Sequence, residues 1–165
     1  MIIIVSDASP VHYLALIGEI QVLPTLYERV IIPPKVLDEL QQPNTPKSVK
    51  DFIASSPSWL DVCTLTSLPD PSFADLDPGE REAITLALEI NADALLIDDN
   101  DGREAARLHG LRVIGTLAVL YSAAEQGLCD LDKVFEKLKQ TNFRASISLY
   151  DHFLNLAAQE VKQSD

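Results

Sequence analysis

Short aliphatic and β-branched runs alternate along the chain with longer stretches whose apolar positions recur every three to four residues. The short runs predict strands over 2–6, 29–32, 60–64, 94–97 and 111–114. They are almost continuously apolar, as strands buried on both faces of a parallel sheet must be. Between them the helical period predicts helices from Pro10 to Ile17, Ile20 to Tyr27, Pro34 to Gln41, Lys47 to Ala54, Pro78 to Ile90, Gly102 to His109 and Thr116 to Gln126. After Gly127 come two more amphipathic stretches, Leu131 to Lys139 and Ile147 to Val161, with no strand to follow. Alternation of this kind is the signature of βαβ units, so the expected class is α/β with a parallel sheet covered on both faces and helices closing the chain.

Local punctuation agrees. Ser9-Pro10 and Asp77-Pro78 each place a capping residue before a proline at a first helical position, and Gly18, Gly110 and Gly127 follow helical runs as C-terminal caps. The least regular stretch, Ser55 to Pro78, holds four prolines and one strand candidate. Too few residues flank it for two independent cores, so it reads as a connection inside one domain spanning 1–165, with a core over 1–127 and C-terminal helices over 128–162.

Composition narrows the function classes. A chain of 165 residues, 47% hydrophobic and 23% charged, is long enough to bury a real core. Thirteen Lys+Arg against 25 Asp+Glu leave a net charge of −12, which excludes a general polycationic surface for duplex DNA. The longest apolar runs, Ile2 to Val5 and Ala94 to Ile97, are far shorter than the roughly 20 residues that span a bilayer. No basic segment precedes the first apolar run, so the mature chain is expected to begin at Met1. Cys63 and Cys129 form neither a CxxC pair nor a disulfide framework and read as reduced, packed thiols of a cytoplasmic protein. His12, His109 and His152 have no metal-binding spacing, and no GxGxxG, GxxxxGK[ST] or GxSxG motif occurs.

The chemistry lies in the acids. In open α/β sheets ligands bind beyond the carboxyl ends of the strands, where strand order reverses. Asp7 follows the first strand; Asp98, Asp99 and Asp101 follow the fourth. If those two strands are neighbours, the acids converge on one rim. With Ser9-Pro10 available as a cap, Asp7 is not needed for capping. One carboxylate of the 98–101 group suffices to cap the next helix, and a bound cation accounts for the excess. Glu39 follows Val36 at i+3 and borders a buried face, although spacing alone suits a solvated helix acid equally well. Glu80 heads the stripe Ala83, Ile84 and Ala87, yet Asp77-Pro78-Gly79-Glu80 also has the spacing of a capping box. Glu82 lies one step around the helix and is the weaker candidate. A set of this kind suits metal-dependent phosphodiester hydrolysis, because hard divalent cations take oxygen ligands and need few carboxylates beside a phosphate.

These residues resemble the PIN-domain nucleases, including VapC-type toxins of toxin–antitoxin pairs. The likeness rests on Ile3 to Ser9, Pro34 to Leu40, Gly79-Glu80-Arg81-Glu82-Ala83-Ile84, Leu95 to Asp101 and Val113-Ile114-Gly115-Thr116, and covers nearly the whole chain. It implies a three-layer α/β/α fold with a five-stranded parallel sheet of order 3-2-1-4-5. It places the catalytic acids at Asp7, Glu39, Glu80 and Asp99, with Asp7, Asp98, Asp99 and Asp101 toward metal. It further implies Mg²⁺ or Mn²⁺ as cofactor, RNA as substrate, an antitoxin as partner and a homodimer. The chain departs from the toxins in carrying Glu80 where they usually have Asp, and Ile97 where they often have Thr or Ser.

RNA requires positive charge near the acids. Arg103 and Arg107 share a helix face after Asp99, and Arg81 adjoins Glu80. All three serve equally well as salt-bridge partners for Glu104 and Glu82. Lys133, Lys137, Lys139 and Arg144 are dispersed as a solvated face would be. Leu149, Phe153, Leu156 and Val161 suit core packing, or an interface. The alternative to a ribonuclease is a catalytically silent scaffold whose acidic pocket binds a partner or an ion. A phosphoacceptor receiver would need a lysine after the fifth strand, where this chain has Gly115-Thr116.

Overall fold

The structure, a computed structural model, describes residues 2–164. Five strands, β1 (Ile3–Ser6), β2 (Arg29–Ile32), β3 (Leu60–Val62), β4 (Ala94–Leu96) and β5 (Val113–Ile114), form one sheet in the order β3-β2-β1-β4-β5. All four neighbouring pairs are parallel. Each lies where the apolar runs predict, over two to four residues. The helices are α1 (Ala8–Leu16), α2 (Val22–Leu26), α3 (Pro34–Leu40), α4 (Lys47–Ala54), α5 (Pro78–Glu89), α6 (Asn100–Leu108), α7 (Thr116–Glu125), α8 (Leu131–Lys139) and α9 (Ile147–Ser164). No helix among the described residues is long and apolar enough to cross a membrane.

Two features differ from the sequence expectation. α1 begins at Ala8, so Asp7 rather than Ser9 takes the N-cap position, and Ser9 sits inside the first turn. In the irregular connection, Pro71–Phe73 forms a single 3-10 turn, with the Asp70 side chain accepting the Ser72 N–H at 2.8 Å. Phe73 is 1% exposed and meets His109 edge-on at 4.8 Å, so one buried aromatic anchors the connection.

The chain divides into two compact units, Met1–Thr116 and Leu117–Asp165. In the first, β1→β2→β3 steps one way across the sheet and β3→β4→β5 the other. Parallel crossovers are right-handed, so the helices of the two halves cover opposite faces. The core between them holds Ile4, Val5, Leu14, Val30, Ile32, Val36, Ile84, Leu95 and Leu96, each fully buried.

The second unit contains nearly all of α7, with α8 and α9. Tyr121 lies 5.5 Å from the Phe153 ring and donates its hydroxyl hydrogen to Glu160, and Leu120 O accepts from Cys129 Sγ. These contacts group α7 with the terminal helices. Phe135 packs edge-on against Tyr150 at 5.1 Å, and the Lys139 ammonium lies 4.9 Å from the same tyrosine ring. Leu149 and Val161 are exposed on α9. Cys63 and Cys129 are thiols rather than disulfide partners, both half-buried.

Candidate metal centre

β1 and β4 lie side by side with Ser6 opposite Leu96, so both end at one rim, at the point of strand-order reversal. Asp7 is the first residue past β1, its N–H donating to Leu96 O at 2.9 Å. It occupies the N-cap of α1 without a side-chain capping bond. The residue is 6% exposed, and its buried Oδ1 has no hydrogen-bond partner. Burial pushes its pKa from 3.8 to about 8; the Ala8 N–H opposes this, and the charges of Asp77, Glu39 and Asp98 add to it.

Glu39 arrives from α3, which Pro33 and Pro34 start and which Val36 and Leu40 pin to the core. Half-buried, it is pushed from 4.5 to about 7 by burial and then by Asp77, while the Gly79 N–H donates to its carboxylate and pulls the other way. A side chain at Gly79 would collide with that carboxylate, so glycine is what lets α5 approach Glu39 closely. Asp77 caps α5, its Oδ1 accepting the Glu80 N–H at 2.8 Å.

One carboxylate oxygen from each of Asp7, Glu39 and Asp77 lies within 4.8 Å of the others. Sequence reasoning places Asp77 only as a cap. The missed signal is topological: a helix that follows a strand in a parallel sheet starts at the carboxyl rim, so its cap stands among the site residues. A cap consumes one oxygen and leaves the other.

The remaining predicted acids fall around this cluster. Glu80 is 6% exposed, and burial followed by its charge repulsion and hydrogen bond with Asp77 holds its carboxyl well above the usual range; Asp7 and Asp99 add to the push. It borders the triad rather than completing it. Gly102 admits it: a Cβ there would lie 3.4 Å from Glu80 Oε2 and 2.6 Å from Ile97 Cδ1. Asp99 caps α6, accepting from Asp101 N–H at 3.1 Å and Gly102 N–H at 3.2 Å, and is exposed, as is Asp101. Asp98 is occupied by hydrogen bonds from Ser9 and Thr116. Glu82 accepts the Lys35 N–H at 3.0 Å, tying α3 to α5.

Of the arginines, Arg103 donates from Nη1 to Ile97 O at 2.9 Å, and burial lowers its pKa. Arg107 is exposed in the last turn of α6, whereas Asp99 caps the first. Arg81, next to Glu80, has a buried Nε with no hydrogen-bond partner.

The donor set fits a hard divalent cation. It is all oxygen, it includes a buried unpaired carboxylate oxygen, and the charges that shift Asp7, Glu39 and Glu80 are carboxylates rather than lysines or arginines.

A family model described as PIN domain matches residues 3–159. The chain belongs to the PIN-domain family. PIN domains are generally nucleases that use divalent metals, and this one carries a cluster of three acids that could hold a metal ion. Among solved structures it is similar to a PilT N-terminus domain protein from the hyperthermophilic archaeon Sulfolobus solfataricus P2, at 20% identity and a TM-score of 0.47, over 76% of this chain and 95% of that one. No curated protein matches it.

Proposed function

We propose that this PIN domain is a metal-dependent endoribonuclease that hydrolyses RNA phosphodiesters with Mg²⁺ or Mn²⁺ held by Asp7, Glu39 and Asp77. The observation that carries the reading is the Asp7 carboxylate, buried, unpaired at Oδ1 and faced by two further carboxylates. Such an arrangement is unfavourable unless protons or a cation neutralise it. A divalent cation supplies Lewis acidity at a phosphate oxygen and lowers the pKa of water.

The chain's own side chains do the positioning. Gly79 N–H holds Glu39, and the cap bond to Glu80 N–H holds Asp77. Glu80 borders the cluster, and burial together with the Asp77 charge raises its carboxyl above the usual range. Arg81, next to Glu80 on α5, would bring a guanidinium to a phosphate. The choice of RNA, a toxin role with a cognate antitoxin and a homodimer are supported by the VapC resemblance, and a cytoplasmic location by the reading of Cys63 and Cys129 as reduced thiols.

The test is incubation of the wild type and Asp7→Asn with single-stranded RNA and DNA of one sequence, in Mn²⁺, Mg²⁺ or EDTA. Internal cleavage of RNA is expected, lost in EDTA and in the variant. Metal binding without cleavage of either substrate would favour the silent scaffold.

A further inference from the structure

Asp98 stands just past β4 among the acids that the sequence directs toward metal, yet its carboxylate is engaged elsewhere. Oδ1 accepts the Thr116 N–H at 2.7 Å, and Oδ2 accepts the hydroxyls of Ser9 and Thr116, each at 2.7 Å. A carboxylate has about four lone-pair sites. Three of them here take short, charge-assisted bonds. Thr116 is completely buried, while Ser9 and Asp98 are half-buried, so the bonds are partly shielded from competing water.

The donors come from separate points on the rim: the first turn of α1 and the residues after β5. Gly115 passes directly against the carboxylate, for a Cβ there would lie 3.2 Å from Asp98 Oδ1 and 2.9 Å from Arg103 Nη1. Arg103 Nη1 also donates to the Ile97 carbonyl at 2.9 Å. The Val113-Ile114-Gly115-Thr116 motif therefore has a physical reading: a glycine for close approach, followed by a threonine that gives two donors. Ser9 lies two residues from Asp7, on the turn that Asp7 caps without a side-chain bond of its own. Besides the backbone bond to Leu96, that turn is tied by Ser6 Oγ donating to Asp7 O at 2.8 Å and by Ser9 bonding to Asp98.

We propose that Asp98 is a positioning residue of the metal centre and not one of its ligands: by holding Ser9 and Gly115-Thr116 to the end of β4, it fixes the turn that presents Asp7 to Glu39 and Asp77. The proposal rests on the reading of that triad as a metal site. Outer residues that orient ligands typically contribute 10- to 100-fold in metal affinity.

The experiment is Mn²⁺ titration by calorimetry of wild type, Asp7→Asn, Asp98→Asn, Asp98→Ala and Ser9→Ala, with thermal unfolding of each. The side-chain amide introduced by Asp98→Asn can donate to both hydroxyls while its oxygen accepts the Thr116 N–H, so this variant should bind within a few-fold of wild type. Asp98→Ala and Ser9→Ala should weaken binding about 10- to 100-fold, and Asp7→Asn should abolish it. Asp98→Asn as damaging as Asp7→Asn would make Asp98 a ligand and overturn the proposal. So would Ser9→Ala with unchanged affinity, a result that remains readable if Asp98→Ala does not fold. No binding by the wild type would instead overturn the metal reading, and the proposal with it.

Discussion

At the scale of single residues, the decisive quantity is the free energy of crowding carboxylates out of water. Asp7 is raised from 3.8 to about 8 and Glu39 from 4.5 to about 7, both first by burial. For a group with a raised folded-state pKa, the folded chain binds more protons than the unfolded chain between the two values. The stability these groups contribute is therefore full below about pH 4 and is lost as pH rises through about 7 to 8. Metal-free protein should show a falling melting temperature across that window, with a shallower slope in Asp7→Asn. Mn²⁺ should restore more stability at about pH 8 than at about pH 5, because the metal displaces protons; calorimetric scans at both values check it. Gly79 gives a second test. Alanine is intrinsically better in a helix by about 1 kcal/mol, but its Cβ would displace the Glu39 carboxylate. Gly79→Ala should stay folded and bind Mn²⁺ more weakly, measured by titration. Asp7 and Glu39 are legible in the sequence because each sits at a stated offset from a strand end or a buried helix face. Asp77 is not: its capping role is complete in itself and conceals the second oxygen.

At the scale of elements, the start of α5 does two jobs. Asp77 caps the helix through Oδ1 and belongs to the triad. A serine caps about as well as aspartate, whereas loss of a cap altogether costs about 1 kcal/mol. Asp77→Ser should thus leave urea unfolding nearly unchanged while lowering Mn²⁺ affinity; equal affinity would confine Asp77 to capping. The same junctions show what local pattern can and cannot give. Lys47–Ala54 and Leu131–Lys139 match their predicted bounds, since periodicity and flanking polar residues agree there. Ser9 is not the cap that its place before Pro10 suggests: its hydroxyl has a partner 89 positions away in Asp98, and a distant partner leaves no mark on local spacing. The Pro71–Phe73 turn does carry a local signal, Asp70 capping ahead of Pro71 as Asp77 does ahead of Pro78, but one turn is too short for the helical period to register.

At the scale of the whole molecule, charge sets the terms on which a polyanion can approach. With a net charge of −12, long-range forces repel a polyanion, and under the proposed function attraction of RNA is left to the bound metal and to cations beside it. Salt screens that repulsion. At saturating Mn²⁺, RNA association should hold steady or quicken between about 20 and 150 mM monovalent salt, opposite to the steep loss of basic nucleic-acid binders; stopped-flow binding measures it. By itself the sequence determined the α/β class, the five strands and the placement of acids just past β1 and β4, because those follow from apolar period and from position along a strand. The neighbouring of β1 and β4, which brings the acids together, came with the family resemblance and not with any local pattern. Only the tertiary structure decided which acids share a centre. It brings one oxygen each from Asp7, Glu39 and Asp77 within 4.8 Å of one another and leaves Asp7 Oδ1 unpaired, whereas Asp98 spends its carboxylate on Ser9 and Thr116; distances between residues remote in sequence are set by how strands and helices pack, which no local pattern records.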